Sequence, residues 1–178
     1  LEEQQLISDC LKGNSTSQKM LYDKYSGQMY SICLRYCSDE HHAQDALQNG
    51  FIRVFRNLNK YRNDGPLGAW IRKIIVRASI DQIELKKRHQ SIFSNVELDS
   101  ITDQYIEWSD DMTYNQLIKL IGNLPVGYKA VFNMYVLDDM PHAEIAEILQ
   151  ITESTSRTQL KKARTMIQKQ MLEKNYII

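Results

Sequence analysis

An all-helical protein, built as two small domains joined by an acidic linker, is the fold class this sequence predicts, and three observations carry the prediction. Seven Gly and three Pro in 178 residues leave little turn chemistry for a many-stranded sheet. Apolar residues recur at spacings of three and four through most of the chain, the period of helices that bury one face. The formal charge is zero overall, yet it is segregated: residues 1–90 carry 14 Lys+Arg against 10 Asp+Glu, residues 91–112 none against 6, and residues 113–178 carry 8 against 6. That shift places the domain cuts. The chain therefore reads as a domain over 1–90, an acidic linker over 91–112 and a second domain over 113–178.

With 43% hydrophobic and 25% charged residues, the composition is that of a chain able to fold. No run approaches the roughly 18 apolar residues of a bilayer span, and the start, Leu1-Glu2-Glu3-Gln4-Gln5, lacks a basic region followed by an apolar stretch. Three cysteines, Cys10, Cys33 and Cys37, make no disulfide framework and suit a reducing compartment. A soluble, cytoplasmic chain with no membrane insertion is expected.

The first helix carries Leu6, Ile7, Cys10 and Leu11 and stops at Gly13-Asn14-Ser15, with Ser15 as a capping residue. A long helix follows from Thr16 to Tyr36 on Met20, Leu21, Tyr25, Met29, Ile32, Cys33 and Tyr36. Ser38 and Asp39 are N-cap candidates for a third, with Ala43, Ala46, Leu47, Phe51, Val54, Phe55 and Leu58 on its inner face. Arg62-Asn63-Asp64-Gly65-Pro66 breaks the pattern. A fourth helix runs from about Leu67 to Arg88 and is expected to bury Trp70, Ile71, Ile74, Ile75, Ala78 and Ile83. Beyond the linker, Leu117, Leu120, Ile121 and Leu124 make an amphipathic helix, and Val131, Phe132, Tyr135 and Val136 the next. Asp138 and Asp139 before Pro141 suit an acidic helical first turn, with Ile145, Ile148 and Leu149 inward. A short connection, Gln150-Ile151-Thr152-Glu153, leads to a last helix capped by Thr152, whose inner face is Leu160, Ala163 and Ile167.

The last two helices have the form of a helix-turn-helix, with Ile151 plugging the turn. Ser154, Arg157, Thr158 and Lys161 fall at i, i+3, i+4 and i+7, so hydroxyls, a guanidinium and an ammonium share one side, able to reach base edges and phosphates in a major groove. Thr155, Lys162 and Arg164 extend this surface. In the first domain, the loop residues Tyr61, Arg62, Asn63 and Asp64, with Trp70, combine small polar, aromatic and basic groups that can stack on unpaired bases and contact phosphates. Trp70, which shares a face with Ile74, is expected in the core. Lys86-Lys87-Arg88 serves either as a DNA-backbone contact or as a solvated C-terminal turn favoured by the helix dipole.

These strings resemble a known family. PHAEIAEILQITESTSRTQLKKAR, residues 141–164, is similar to the promoter-recognition helix-turn-helix of extracytoplasmic-function (ECF) sigma factors, and LPVGYKAVFNMYV, residues 124–136, to the helix before it. AQDALQNGFIRVFRNL, residues 43–58, resembles the segment with which these proteins hold the clamp helices of RNA polymerase, and WIRKIIVRASIDQIELKKR, residues 70–88, the segment that engages the −10 element. The resemblance implies an alternative sigma factor: core RNA polymerase and promoter DNA as partners, an anti-sigma factor as regulator, no cofactor, and no chemistry of its own. It places polymerase binding on Asp45, Gln48 and Phe51, with Phe51 as an exposed aromatic anchor ringed by polar groups. It places −10 recognition on the Tyr61 to Asp64 loop with Arg77, and −35 recognition on the last helix. It further implies that the acidic linker occupies a basic channel of the polymerase; a short helix packed on one domain is the other reading of that segment.

Three positions depart from the pattern. Asn49 stands where an acidic residue is common, Arg77 where Asn is frequent, and Gln150 where Gly usually follows the first helix; a non-Gly residue in the left-handed conformation costs roughly 1 kcal/mol. Other readings of the residues have less behind them. A self-sufficient helix-turn-helix regulator would use only the C-terminal half, and a metal-dependent hydrolase would have to be built on Cys33, Cys37, His41 and His42. Cysteine on an apolar helix is usually a small buried hydrophobe, and no metal site is expected. The pairs Asp110-Asp111 and Asp138-Asp139 diverge on a helix and have no basic partner at motif spacing, and no Gly-rich phosphate loop or nucleophile elbow occurs.

Overall fold

The computed structural model describes residues 3–37, 39–86 and 114–173, and among these every regular element is helical. The chain divides into two compact units, the first closing at Lys86.

The first unit contains α1 (Glu3–Leu11), α2 (Ser15–Tyr36), α3 (Glu40–Asn57), a 3-10 turn over Leu58–Lys60, and α4 (Leu67–Lys86). Asn14, not Ser15, caps α2: its side chain accepts from the Ser17 N–H. Asp39 does the same for α3 through the N–H of His42. Each such cap satisfies a donor the helix itself leaves unpaired, worth about 1 kcal/mol. Helices α2, α3 and α4 pack on one another around Leu21, Met29, Cys33, Ala43, Val54, Leu67, Ile71 and Ile75, all fully buried. Each large apolar side chain withdrawn from water this way contributes about 1.5–3 kcal/mol. Gly50 permits the close approach of α3 to α4, since a Cβ there would lie 2.4 Å from Ile75 Cδ1.

The buried face of α4 differs from the expected one. Because α4 packs against both α2 and α3, its inner arc is wide: Ile71, Ile75, Val76, Ala78 and Ile80 are buried, and Ser79 at the centre of the arc is fully buried with its hydroxyl donating to the Ile75 carbonyl. Trp70, Ile74 and Ile83 are only half-buried. Trp70, Ile74 and Arg77, at i, i+4 and i+7, thus form the open face.

The second unit contains α5 (Tyr114–Gly122), α6 (Val126–Phe132), a π-helical turn over Asn133–Leu137, α7 (His142–Leu149) and α8 (Glu153–Glu173). Helix α8 packs along α5, α6 and α7, burying Leu160, Ala163, Ile167 and Met171 against Leu120, Leu124, Phe132, Met134, Ile145 and Leu149. Two expectations are corrected. The helix expected to carry Tyr135 and Val136 inward widens instead into the π turn, which buries Met134 and leaves Tyr135 and Val136 exposed. Asp138 and Asp139 do not form the first turn of α7. The Asp138 N–H closes the π turn onto the Asn133 carbonyl, Asp139 takes a positive φ of 54°, and α7 begins only at His142, after Pro141.

Candidate nucleic-acid interface

Helices α7 and α8 meet in a tight turn. Gln150 ends α7 in the left-handed conformation, φ 53° and ψ 41°, with its N–H on the Ala146 carbonyl, and the N–H of Ile151 bonds to the same carbonyl. Thr152 caps α8 by accepting from the Thr155 N–H at 3.0 Å. With the turn fixed, the helical period decides what each side of α8 shows. Ser156, Gln159, Leu160 and Ala163 are buried against the rest of the unit, whereas Ser154, Arg157, Thr158, Lys161 and Arg164 are exposed. The stripe expected from the spacing is therefore present, and Arg164 continues it at i+7 from Arg157. Thr155 and Lys162 are half-buried beside it. The Thr155 hydroxyl lies 2.8 Å from that of Thr152, so it serves the cap. Arg157 rests on Glu153 one turn earlier, at 2.7 Å; both side chains are solvated, and such pairs are worth only a few tenths of a kcal/mol. A phosphate or a guanine edge can displace Glu153 at little cost.

A cluster that the sequence did not point to lies next to this stripe. The Tyr135 and His142 rings stack with centroids 4.5 Å apart, the guanidinium carbon of Arg164 sits 6.0 Å from the Tyr135 ring centre, and His142 Nδ1 shares a hydrogen bond of 2.8 Å with Ser156 Oγ. Burial, and then the positive charges of Arg157 and Arg164 outweighing Glu153, hold the imidazole below its usual pKa. No periodic signal marks a π turn, so the exposure of Tyr135 could not be read from spacing.

In the first unit the loop between the 3-10 turn and α4 is organised by Tyr61. Its hydroxyl donates to the Gly65 carbonyl and lies 3.1 Å from Asn63 Oδ1, while its ring packs 5.6 Å from that of Trp70. Burial and the Glu3 and Asp64 carboxylates raise the phenol pKa. Asn63, at φ 60°, supplies the left-handed residue of the loop, and Arg62, Asn63 and Asp64 are exposed. Tyr61 thus shapes the loop, leaving the exposed side chains to meet a ligand. Next to it, Arg53, Asn57, Lys60, Trp70, Ile74 and Arg77 line a cleft of about 270 Å³. Arg53 is paired with Asp81, and the Asn57 amide donates to the Arg53 carbonyl at 2.8 Å. An indole, an aliphatic wall and cationic groups at the rim suit a planar aromatic ring attached to an anion. The core position expected for Trp70 is replaced by this half-open one, and Arg53, Asn57 and Lys60, which carry no motif in the sequence, join it at the cleft. Lys86 ends α4; Lys87 and Arg88 lie outside the described residues.

On α3 the three expected contact residues part ways. Gln48 is exposed, and Asp45 is partly so, engaged by Gln82 at 3.3 Å and His41 at 3.4 Å. Phe51 is 3% exposed, so the exposed-anchor reading is wrong: Tyr22 from α2 covers it edge-on at 4.7 Å and Phe55 flanks it at 6.2 Å. The apolar group that does face water on this helix is Ile52, next to Gln48 and Asn49 at one turn's distance.

Cys33 and Cys37 are core residues, and burial raises the Cys33 thiol above its ordinary pKa. His41 and His42 pair with Asp45 and Asp39. Among the described residues no three His, Cys, Asp or Glu are grouped to hold a metal, and no helix is long and apolar enough to cross a membrane.

Comparison with known proteins bears on both units. Residues 21–89 match the family model of sigma-70 region 2 and residues 114–167 that of sigma-70 region 4, together more than half of the chain. Among curated relatives, the ECF RNA polymerase sigma factor SigW of Bacillus subtilis is 25% identical over 177 residues, 93% of this chain and 94% of its own. The ECF RNA polymerase sigma-E factor of Haemophilus influenzae is 22% identical, covering 94% of each chain. Two solved structures share the fold: sigma factor RpoE bound to the anti-sigma factor NepR from Bartonella quintana (TM-score 0.57, 14% identity, 85% of this chain and 94% of that one) and CnrH with the cytosolic domain of CnrY (TM-score 0.53, 15% identity, 93% and 94%).

Proposed function

The chain belongs to the sigma-70 family as an ECF sigma factor, which directs RNA polymerase in transcription initiation, and from that premise we propose how its residues divide the work. The observation that carries the reading is the order of the two matched regions: region 2 on the unit with the aromatic cleft, region 4 on the unit with the helix-turn-helix. A self-sufficient regulator would need only the second.

Residues 1–90 form the domain for core polymerase and the −10 element, 91–112 a linker, and 113–178 the domain for the −35 element. Polymerase docks on the outer face of α3 through Asp45, Gln48, Asn49 and Ile52, while Phe51 holds that face in place from beneath. The −10 strand, once unpaired, lies along Arg62, Asn63 and Asp64 and places a base against Trp70 and Ile74, with Lys60 and Arg77 at its phosphates and edge. Ser154, Arg157, Thr158 and Lys161 read the −35 duplex, with Lys162 and Arg164 near its backbone. The protein acts in the cytoplasm, where its polymerase is, and makes or breaks no covalent bond itself. RpoE and CnrH were each solved with a binding partner; an anti-sigma factor covering the same α3 and α8 faces is the corresponding regulator here.

Run-off transcription with core polymerase tests the reading. Core enzyme given this chain should initiate at a defined subset of a random promoter library, and the Gln48→Ala/Ile52→Ala double variant should keep its helicity but lose most of that activity. Unchanged core affinity in the folded double variant would remove α3 from the polymerase interface.

A further inference from the structure

We infer that His142, held between Tyr135 and Ser156, is a positioning residue for −35 binding that takes up a proton as DNA arrives, a proposal that rests on the −35 reading of α8.

The geometry has three parts. The hydrogen bond between His142 Nδ1 and Ser156 Oγ ties the first residue of α7 to the buried side of α8, so it fixes the angle at which the exposed stripe is presented. The stack of His142 on Tyr135, whose other neighbour is the Arg164 guanidinium, passes that constraint to a cation of the stripe itself. The charged groups facing the imidazole are Glu153, Arg157 and Arg164 from α8, and Tyr135 faces it from the π turn. Two of the three charges are cations that the −35 reading assigns to DNA.

The proton linkage follows from those charges. In the free protein burial, and then Arg157 and Arg164, disfavour the imidazolium, so His142 is neutral near pH 7. DNA phosphates neutralise both arginines and add negative charge beside the ring. The bound state therefore holds a proton on His142 more tightly than the free state. The imidazolium carries a proton on both nitrogens, so the link to Ser156 survives protonation with Nδ1–H donating to Oγ. By linkage, affinity rises as pH falls through the interval between the free and the bound midpoints of His142, and is flat above it. The limit is tenfold for each unit by which binding raises the midpoint.

The test uses the full-length chain and the −35 duplex that the reconstituted holoenzyme selects from a random library. Wild-type affinity should gain between about threefold and tenfold as pH falls from about 7.5 to 5.5. His142→Asn keeps a hydrogen-bonding group near Ser156 but cannot titrate, and should lose that gain; Tyr135→Ala should weaken binding and reduce its salt dependence by releasing Arg164. The imidazole resonances of wild-type His142, identified by their loss in the variant, should titrate at a higher midpoint with duplex than without. This second measurement holds even if the Asn variant folds poorly. A pH gain retained by His142→Asn, or a His142 midpoint unmoved by duplex, would overturn the inference while leaving the −35 reading intact. Arg157→Ala separates the two: if it leaves duplex affinity unchanged at every pH, the −35 reading itself fails and the inference falls with it.

Discussion

The two units present the groups proposed to meet DNA on opposite kinds of surface. In the second, the groups stand out along a convex helix: Ser154, Arg157, Thr158, Lys161 and Arg164 are exposed on α8, a shape that enters a groove and meets base edges without disturbing the stack. In the first, Trp70 and Ile74 form the wall of a recess of about 270 Å³ with Arg53, Lys60 and Arg77 around it, room for a single planar ring. Under the proposed function, the difference of shape matches a difference of substrate: a paired element for α8 and an unpaired one for the cleft. Net charge does not, since both units are only mildly basic.

The largest expected effect breaks the comparison by removing one side of it. Gly50→Val places a branched side chain where even a Cβ would lie 2.4 Å from Ile75 Cδ1, and should destabilise the first unit by about 1–3 kcal/mol. Because Gly50 is remote in the chain from α5–α8, denaturation followed by Trp70 fluorescence in a Trp108→Phe background should shift while the helix-turn-helix keeps its stability. Next in size, Arg157→Ala should cost about 1–3 kcal/mol on the preferred −35 sequence and little on sequences changed at the base it reads. Equal loss on all sequences would make Arg157 a backbone contact. The smallest effect sharpens the picture of the turn: Gln150→Gly should gain roughly 1 kcal/mol in the thermal stability of the second unit, by relieving a non-Gly residue at φ 53°.

How much of this was legible in the sequence differs between the units for a physical reason. Helix α8 packs on one side only, so a 3.6-residue period separates its inner Leu160, Ala163 and Ile167 from its outer stripe, and the stripe could be read directly. Helix α4 is packed between two others, and its buried arc is centred on Ser79, a small polar residue that no apolar periodicity would choose. Spacing then placed Trp70 and Ile74 in the core when they form the open face. Phe51 failed for a related reason: its cover, Tyr22, comes from another helix, and such long-range cover leaves no local trace. The π turn that exposes Tyr135 and the Asp139 turn before α7 likewise depend on tertiary packing. Local signals fared better, as Asp39 and Thr152 each hold the cap position their chemistry suits, and Gln150 takes the left-handed turn position at which Gly was expected.

The most direct test of the division of substrate is a two-by-two set of affinities. Holoenzymes carrying Trp70→Ala or Arg157→Ala are each measured, relative to wild type, on a −35 duplex lacking any −10 sequence and on a single-stranded −10 oligonucleotide. Trp70→Ala should weaken the single strand by the equivalent of about 1–3 kcal/mol, the worth of one stacked base, and leave the duplex unchanged, while Arg157→Ala should do the reverse. If either substitution weakened both probes alike, or Trp70→Ala weakened only the duplex, the assignment of the cleft to unpaired DNA and of α8 to paired DNA would be contradicted.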